Sequence, residues 1–144
     1  MKQSNKFIPV NTPIFSGNEK KYLNECIDTG WISSEGPYVK KFEDAFAKYI
    51  EFDHGIAVAN GSAALDVALK ALNLSAYDEV IMPTFTIISP AFSVIKTGAT
   101  PILIDCDPLT WNMDVNSIEK KITNKTRAIL VVHIYGLPVE MDPI

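Results

Sequence analysis

Apolar positions recur at helical spacing over the first third of the chain. They then give way to short continuous apolar runs that alternate with further helical stretches. From Ser16 to Thr29, Tyr22, Leu23, Cys26 and Ile27 fall on one face of a helix. Ser16 is the expected N-cap, Glu19 stands three residues later as in a capping box, and Gly30 is the stop. A loop, Gly30-Trp-Ile-Ser-Ser-Glu-Gly-Pro, leads to a second amphipathic helix from about Tyr38 to Tyr49. Its apolar side is Val39, Phe42, Phe46 and Tyr49.

Beyond residue 50 the texture changes. Gly55-Ile-Ala-Val-Ala reads as a short buried strand, and Gly61 to Leu72 as a helix. Glu79-Val-Ile-Met is a strand ending at Pro83. Ile87 to Thr97 is apolar enough for a buried helix closed by Gly98, and Pro101-Ile-Leu-Ile-Asp is the next strand. Asn116 to Ile122 is a short helix capped by Asp114 or Asn116, and Arg127-Ala-Ile-Leu-Val-Val-His is a last strand. Strands that are apolar throughout and separated by helices predict an α/β fold, with a mostly parallel sheet covered by helices on both faces. The expected division is a helical segment and its loop over residues 1–50, then an incomplete α/β domain over 51–144. A helix should follow the last strand, but the chain stops at Val139-Glu-Met-Asp-Pro-Ile. A truncated chain, a fragment or a disrupted reading frame is the expectation.

Composition narrows the function classes. Hydrophobic residues make up 47% and charged residues 21%, the balance of a globular protein. The net charge of -4 and the lack of a basic stripe argue against nucleic acid. The pairs Lys20-Lys21, Lys40-Lys41 and Lys120-Lys121 read as solvated helix faces. No apolar run approaches a membrane span, and Met1-Lys-Gln-Ser-Asn-Lys does not begin a secretory signal. Cys26 and Cys106 are 80 positions apart, with no Cys-x-x-Cys and no nearby His. They read as cytoplasmic free thiols, and no metal site is expected.

Four segments carry candidate chemistry. Ala57-Val-Ala-Asn-Gly-Ser-Ala-Ala-Leu runs from a strand through a small-residue turn into a helix. Gly61 admits a close ligand, and the amides of Ser62 and Ala63, with the Ser62 hydroxyl, suit a phosphate monoester. It is neither a Walker loop nor a dinucleotide fingerprint, and the same residues also read as an ordinary capped helix. Phe85, in Pro83-Thr84-Phe85-Thr86, lies just past a strand's carboxyl end, where a planar ring could stack on it; it also reads as a core residue. Asp105 and Asp107 could bind magnesium or supply a nucleophile in a phosphatase, or form a strand-end turn with Asx-type bonds. His133, after the last strand, could touch substrate or be a hydrogen-bonded structural histidine.

In order along the chain, six stretches resemble the DegT/StrS-type sugar aminotransferases, most closely the perosamine-synthase-like members. They are Gly30-Trp-Ile-Ser-Ser-Glu-Gly, Asn60-Gly-Ser-Ala-Ala-Leu, Asp78-Glu-Val-Ile-Met-Pro-Thr-Phe-Thr, Gly98-Ala-Thr-Pro, Asp107-Pro-x-Thr-x-Asn-x-Asp and Val132-His-Ile-Tyr-Gly. The resemblance implies the N-terminal part of the large domain of a fold-type-I aminotransferase that uses pyridoxal 5'-phosphate. It implies a nucleotide-linked 4-keto-6-deoxy sugar as acceptor, glutamate as donor, and a cytoplasmic homodimer making surface-polysaccharide or O-antigen sugars. By resemblance, Gly61, Ser62 and Ala63 take the cofactor phosphate, Phe85 takes the stacking position, and Trp31 to Gly36 lies near the active-site mouth. The family's pyridine-pairing Asp and Schiff-base Lys have no counterpart among these motifs. Lys70 and Lys96 read as helix-surface residues, so the 144-residue chain alone is expected to be inert. The family's strand order, 3-2-4-5-6-7-1, implies strands near Ile56, Val80, Leu103 and Leu130 here. With three strands missing, the expectation is that the first shifts to pair with the fourth, or that chains associate by their edges.

Overall fold

The computed structural model describes residues 7–144; the segment Met1–Lys6, on which the secretory-signal reading turns, lies outside the described residues. The chain falls into two units, Met1–Ala57 and Val58–Ile144.

The first unit holds helices α1 (Glu19–Thr29) and α2 (Pro37–Tyr49). Ser16 does not cap α1. Asn18 is the N-cap, without a side-chain bond, and Glu19 instead reaches back to accept the Gly17 amide at 3.0 Å. Gly30 ends the helix as expected, at φ 74°, with its amide donating to the Ile27 carbonyl. Pro37 opens α2, where its missing N–H costs nothing. The two helices meet through Tyr22 and Tyr38, whose rings are 5.0 Å apart, and through the Tyr38 hydroxyl, which donates to Glu25 at 2.7 Å. Phe42, Phe46 and Tyr49 do share a side of α2, but it is exposed rather than packed within the unit.

The buried strand expected at Gly55–Ala59 does not form, and Ile56 is 78% exposed. The chain instead lies against α2. The Ala57 amide donates to the Glu43 carboxylate at 2.8 Å, and a Cβ at Gly55 would stand 2.6 Å from the Glu43 carbonyl oxygen. Once a side chain has taken that amide, no sheet ladder competes for it.

The second unit is a three-stranded parallel sheet, β1 (Glu79–Pro83), β2 (Thr100–Ile104) and β3 (Thr126–Ile129), in the order β2-β1-β3. These are the strands expected near Val80, Leu103 and Leu130, with the Val80 strand central. The four-stranded closure does not occur, because its fourth strand is absent. β3 is also shorter than the run Arg127–His133: pairing ends after Ile129, with one further bond from the Leu130 amide to Ile81.

Alternation along β1 sends neighbouring side chains to opposite buried faces. Val80 and Met82 pack with Leu69, Val94 and Ala99, under helices α3 (Gly61–Ala71) and α4 (Ser89–Lys96). Ile81 packs the other way, with Ile104, Met113 and Ile118. That second face is covered not by the α-helix expected at Asn116–Ile122 but by two 3₁₀ turns, Val115–Ser117 and Glu119–Lys121. Asp114 caps the first of these, accepting from the Asn116 amide at 3.1 Å and the Ser117 hydroxyl at 2.5 Å. α4 starts two residues later than the apolar run suggests. It buries Pro90, Ser93 and Val94 and leaves Phe92 and Ile95 half exposed.

Candidate cofactor-phosphate site

The N-terminus of α3 is built as the small-residue turn requires, with one change. Asn60 is extended and acts as N-cap: its side-chain oxygen accepts the Ala63 amide at 2.9 Å. The Ala63 donor is therefore already used within the protein. Among the described residues, the Gly61 and Ser62 amides donate to no protein acceptor. A Cβ placed on Gly61 meets nothing within 4 Å, so the space beside its Cα is open. Gly61 and Ser62 are exposed. Two free amides and a hydroxyl at the positive end of a helix form a donor set that fits a phosphate.

The Ser62 hydroxyl lies 2.8 Å from the Ser89 hydroxyl at the start of α4. One turn further along, Asp66 accepts from the Ser93 hydroxyl at 2.5 Å and from the Lys96 ammonium at 2.7 Å. Residues four apart on α3 thus meet residues four and seven apart on α4, and this polar ladder holds the two N-termini level. Donation from Lys96, then from Ser93, keeps the Asp66 carboxyl below the usual carboxylate range. Lys96 is a helix-surface residue as expected, and its charge is committed to Asp66.

Phe85 follows the carboxyl end of β1, but its aromatic neighbour is Trp111, with ring centroids 5.2 Å apart. The contact that joins the β1–α4 segment to Ser62 runs through Ser89. Phe85 lines a cavity of about 420 Å³ with Trp111, Tyr135, Ile134, Leu137 and Thr110. Trp111 and Tyr135 both have positive φ, 62° and 49°, which is unusual for residues of that bulk. Two strained aromatic positions beside one cleft at the strand ends belong with ligand sites more often than with plain cores.

Asn112, only 5% exposed, fastens the segment after β3. Its side-chain nitrogen donates to the Leu137 and Pro138 carbonyls at 3.1 and 3.2 Å, and its oxygen accepts the Ile134 amide. The His133 Nδ1 accepts the Val139 amide at 3.0 Å, which is the structural role. Asp107 accepts from the Thr110 amide, the Leu109 amide and the Thr110 hydroxyl, and these bonds hold its carboxyl below the usual range. Asp105 accepts the Cys106 amide at 2.8 Å. This is the strand-end turn, and it gives the phosphatase reading no support. No group of three or more His, Cys, Asp or Glu suited to a metal occurs among the described residues.

Sequence reasoning missed Asn60, Ser89 and Asn112. Asn before Gly-Ser is an N-cap signature, and Ser89-Pro90 is a helix-start signature, so both had a local signal. Asn112 stands in the stretch Asp107-Pro-x-Thr-x-Asn-x-Asp, but its bonding role had no local signal, because its partners lie more than twenty residues away.

Helices packed on a parallel sheet define an α/β unit, and the N-terminus of α3 is its candidate phosphate site. The chain belongs to the DegT/DnrJ/EryC1/StrS aminotransferase family, whose model matches residues 13–144. It is 51% identical to the GDP-perosamine synthase of Escherichia coli O157:H7 over 139 residues, which are 96% of this chain and 38% of that protein. It is 49% identical to the GDP-perosamine synthase of Caulobacter vibrioides, over 95% of this chain and 37% of that one. Among solved structures, it is similar to a putative sugar aminotransferase, Spr1654 from Streptococcus pneumoniae, in its PLP-form. The TM-score is 0.85 at 29% identity, covering 94% of this chain and 34% of that one. The chain spans little more than a third of the length of the relatives it matches.

Proposed function

We propose that this chain supplies the cofactor-phosphate subsite of a pyridoxal 5'-phosphate-dependent aminotransferase acting on a nucleotide-linked 4-keto-6-deoxy sugar. Glutamate is the amino donor, and the whole protein works as a cytoplasmic homodimer in surface-polysaccharide or O-antigen sugar synthesis. The observation that carries the reading is the donor set of Gly61 and Ser62 at the start of α3, in a chain half identical to GDP-perosamine synthases. That identity favours amino transfer over dehydration, the reaction named for the Escherichia coli GDP-4-keto-6-deoxy-D-mannose-3-dehydratase, to which the chain is 28% identical.

In this reading the Gly61 and Ser62 amides and the Ser62 hydroxyl bind the phosphate, and the helix dipole adds to their pull. Ala63 contributes by keeping the turn small, its amide being held by Asn60. The β1–α4 segment, joined to Ser62 through Ser89, would supply the ring's contact on that side. Phe85 is its aromatic candidate for stacking, and in the structure its ring neighbour is Trp111. Bound pyridoxal phosphate supplies an electron sink and carries the amino group between donor and acceptor.

The 144-residue chain by itself is read as inert. By family resemblance the covalent lysine and the pyridine-pairing aspartate are not among its motifs, and Lys96 is held by Asp66. The test is titration of the purified chain with pyridoxamine 5'-phosphate, together with a transamination assay on GDP-4-keto-6-deoxymannose. Binding that weakens about tenfold in Ser62→Ala, with no turnover, is expected. Binding indifferent to Ser62, or turnover by the chain alone, overturns the reading.

A further inference from the structure

Ser62 and Ser89 sit on different helices, and their oxygens are 2.8 Å apart, with either able to donate. A phosphate dianion is only an acceptor, so a hydroxyl that binds it must donate its one hydrogen outward. If Ser62 spent that hydrogen on Ser89, it would present a lone pair to the phosphate and repel it. The hydroxyl pair therefore has one productive orientation, in which Ser89 donates to Ser62 and Ser62 donates to the ligand. Ser89 is half-buried at the first turn of α4, and the Asp66–Ser93 and Asp66–Lys96 bonds fix that helix one turn below. Its hydroxyl is thereby held where it can serve Ser62.

We propose that Ser89 is a positioning residue for the phosphate subsite: it orients the Ser62 hydroxyl as a donor. Two charge-polarised bonds in line strengthen each other, so the effect of Ser89 is felt by the phosphate without contact. The inference rests on the reading of Ser62 as a phosphate ligand, and its test separates the two.

The chain and its variants are titrated calorimetrically with inorganic phosphate, with pyridoxamine 5'-phosphate and with pyridoxamine, which lacks the phosphate. Ser62→Ala should weaken both phosphate-bearing probes by about tenfold, the scale of one hydrogen bond to a charged group. Ser89→Ala should weaken them by roughly threefold to fivefold, since it removes orientation but no direct bond. Pyridoxamine should bind all variants alike, and Ser89→Thr, which keeps a hydroxyl, should restore phosphate binding. If Ser62→Ala weakens phosphate binding and Ser89→Ala does not, the positioning role is wrong while the phosphate site stands. Equal losses for pyridoxamine and its phosphate in Ser89→Ala make Ser89 merely structural and also overturn the role. If wild type and Ser62→Ala bind phosphate equally, the site itself fails and the role of Ser89 falls with it.

Discussion

The side-chain oxygen of Asn112 accepts the Ile134 amide at 3.1 Å, across 22 residues of chain. With the two bonds from its nitrogen to Leu137 and Pro138, this one buried carboxamide fixes the backbone that carries Tyr135 to the cleft. Asn112→Ala leaves those partners without it. A loss of about 2–3 kcal/mol in unfolding free energy is expected, the scale of leaving buried polar groups unpaired. Urea denaturation measures it. A change under about 0.5 kcal/mol, the usual range for unimportant surface sites, would show that the segment holds without Asn112.

Gly55→Ala tests the seating of the chain on α2. Its new Cβ would stand 2.6 Å from the Glu43 carbonyl oxygen, closer than real contacts allow, and the obstacle is backbone. The chain must lift away, and the Ala57 amide then loses Glu43. A destabilisation of about 1–3 kcal/mol is expected, typical of overpacking, with faster hydrogen exchange at Ala57. Unchanged exchange at Ala57 would contradict the placement.

Tyr38 should ionise later than an ordinary tyrosine. Its bond to Glu25, with the carboxylate's charge, pushes its pKa up to about 12. A folded value above the unfolded one means that this bond's contribution is complete below about pH 10, the unfolded value. It is lost as pH rises through 12. Ultraviolet titration of tyrosinate should show a step near pH 12 that is absent in Tyr38→Phe and moved to lower pH in Glu25→Gln. A late step that survives Tyr38→Phe assigns it elsewhere.

Asp66 gives the opposite sign. Lys96 and Ser93 lower its folded pKa, so its contribution is present above the unfolded value and is lost as pH falls through the folded one. Asp66→Asn should therefore be less stable than wild type at neutral pH, and the difference should shrink on acidification below about pH 4, the ordinary aspartate range. Thermal melts of both proteins across that range decide it; a gap that stays constant with pH removes Asp66 from the acid response.

Phe85 and Trp111 should be coupled. A double-mutant cycle with leucine at each position should return about 0.5–1.5 kcal/mol, the scale of an aromatic pair beyond its buried area. No coupling would leave Phe85 free to serve the ring subsite by itself.

Much of the α/β unit was determined by sequence alone. The strands at Glu79–Pro83 and Thr100–Ile104, the helix from Gly61 and the stop at Gly30 follow from local signals: apolar runs, a small-residue turn and a left-handed glycine cap. Those signals act over a few residues and are the same whether or not the rest of the chain is present. The turn at Asp107 and the structural role of His133 were likewise among the readings that sequence allowed. What only tertiary structure decided were the choices made by partners far along the chain. Gly55–Ala59 has the composition of a buried strand, but Glu43 took the Ala57 amide and no neighbouring strand offered more. Phe85 found Trp111, Ser62 found Ser89, and Asn112 found Ile134, each across more than twenty residues. A hydrogen bond's direction and a ring's neighbour depend on which elements pack together, and periodicity along one segment carries no information about either.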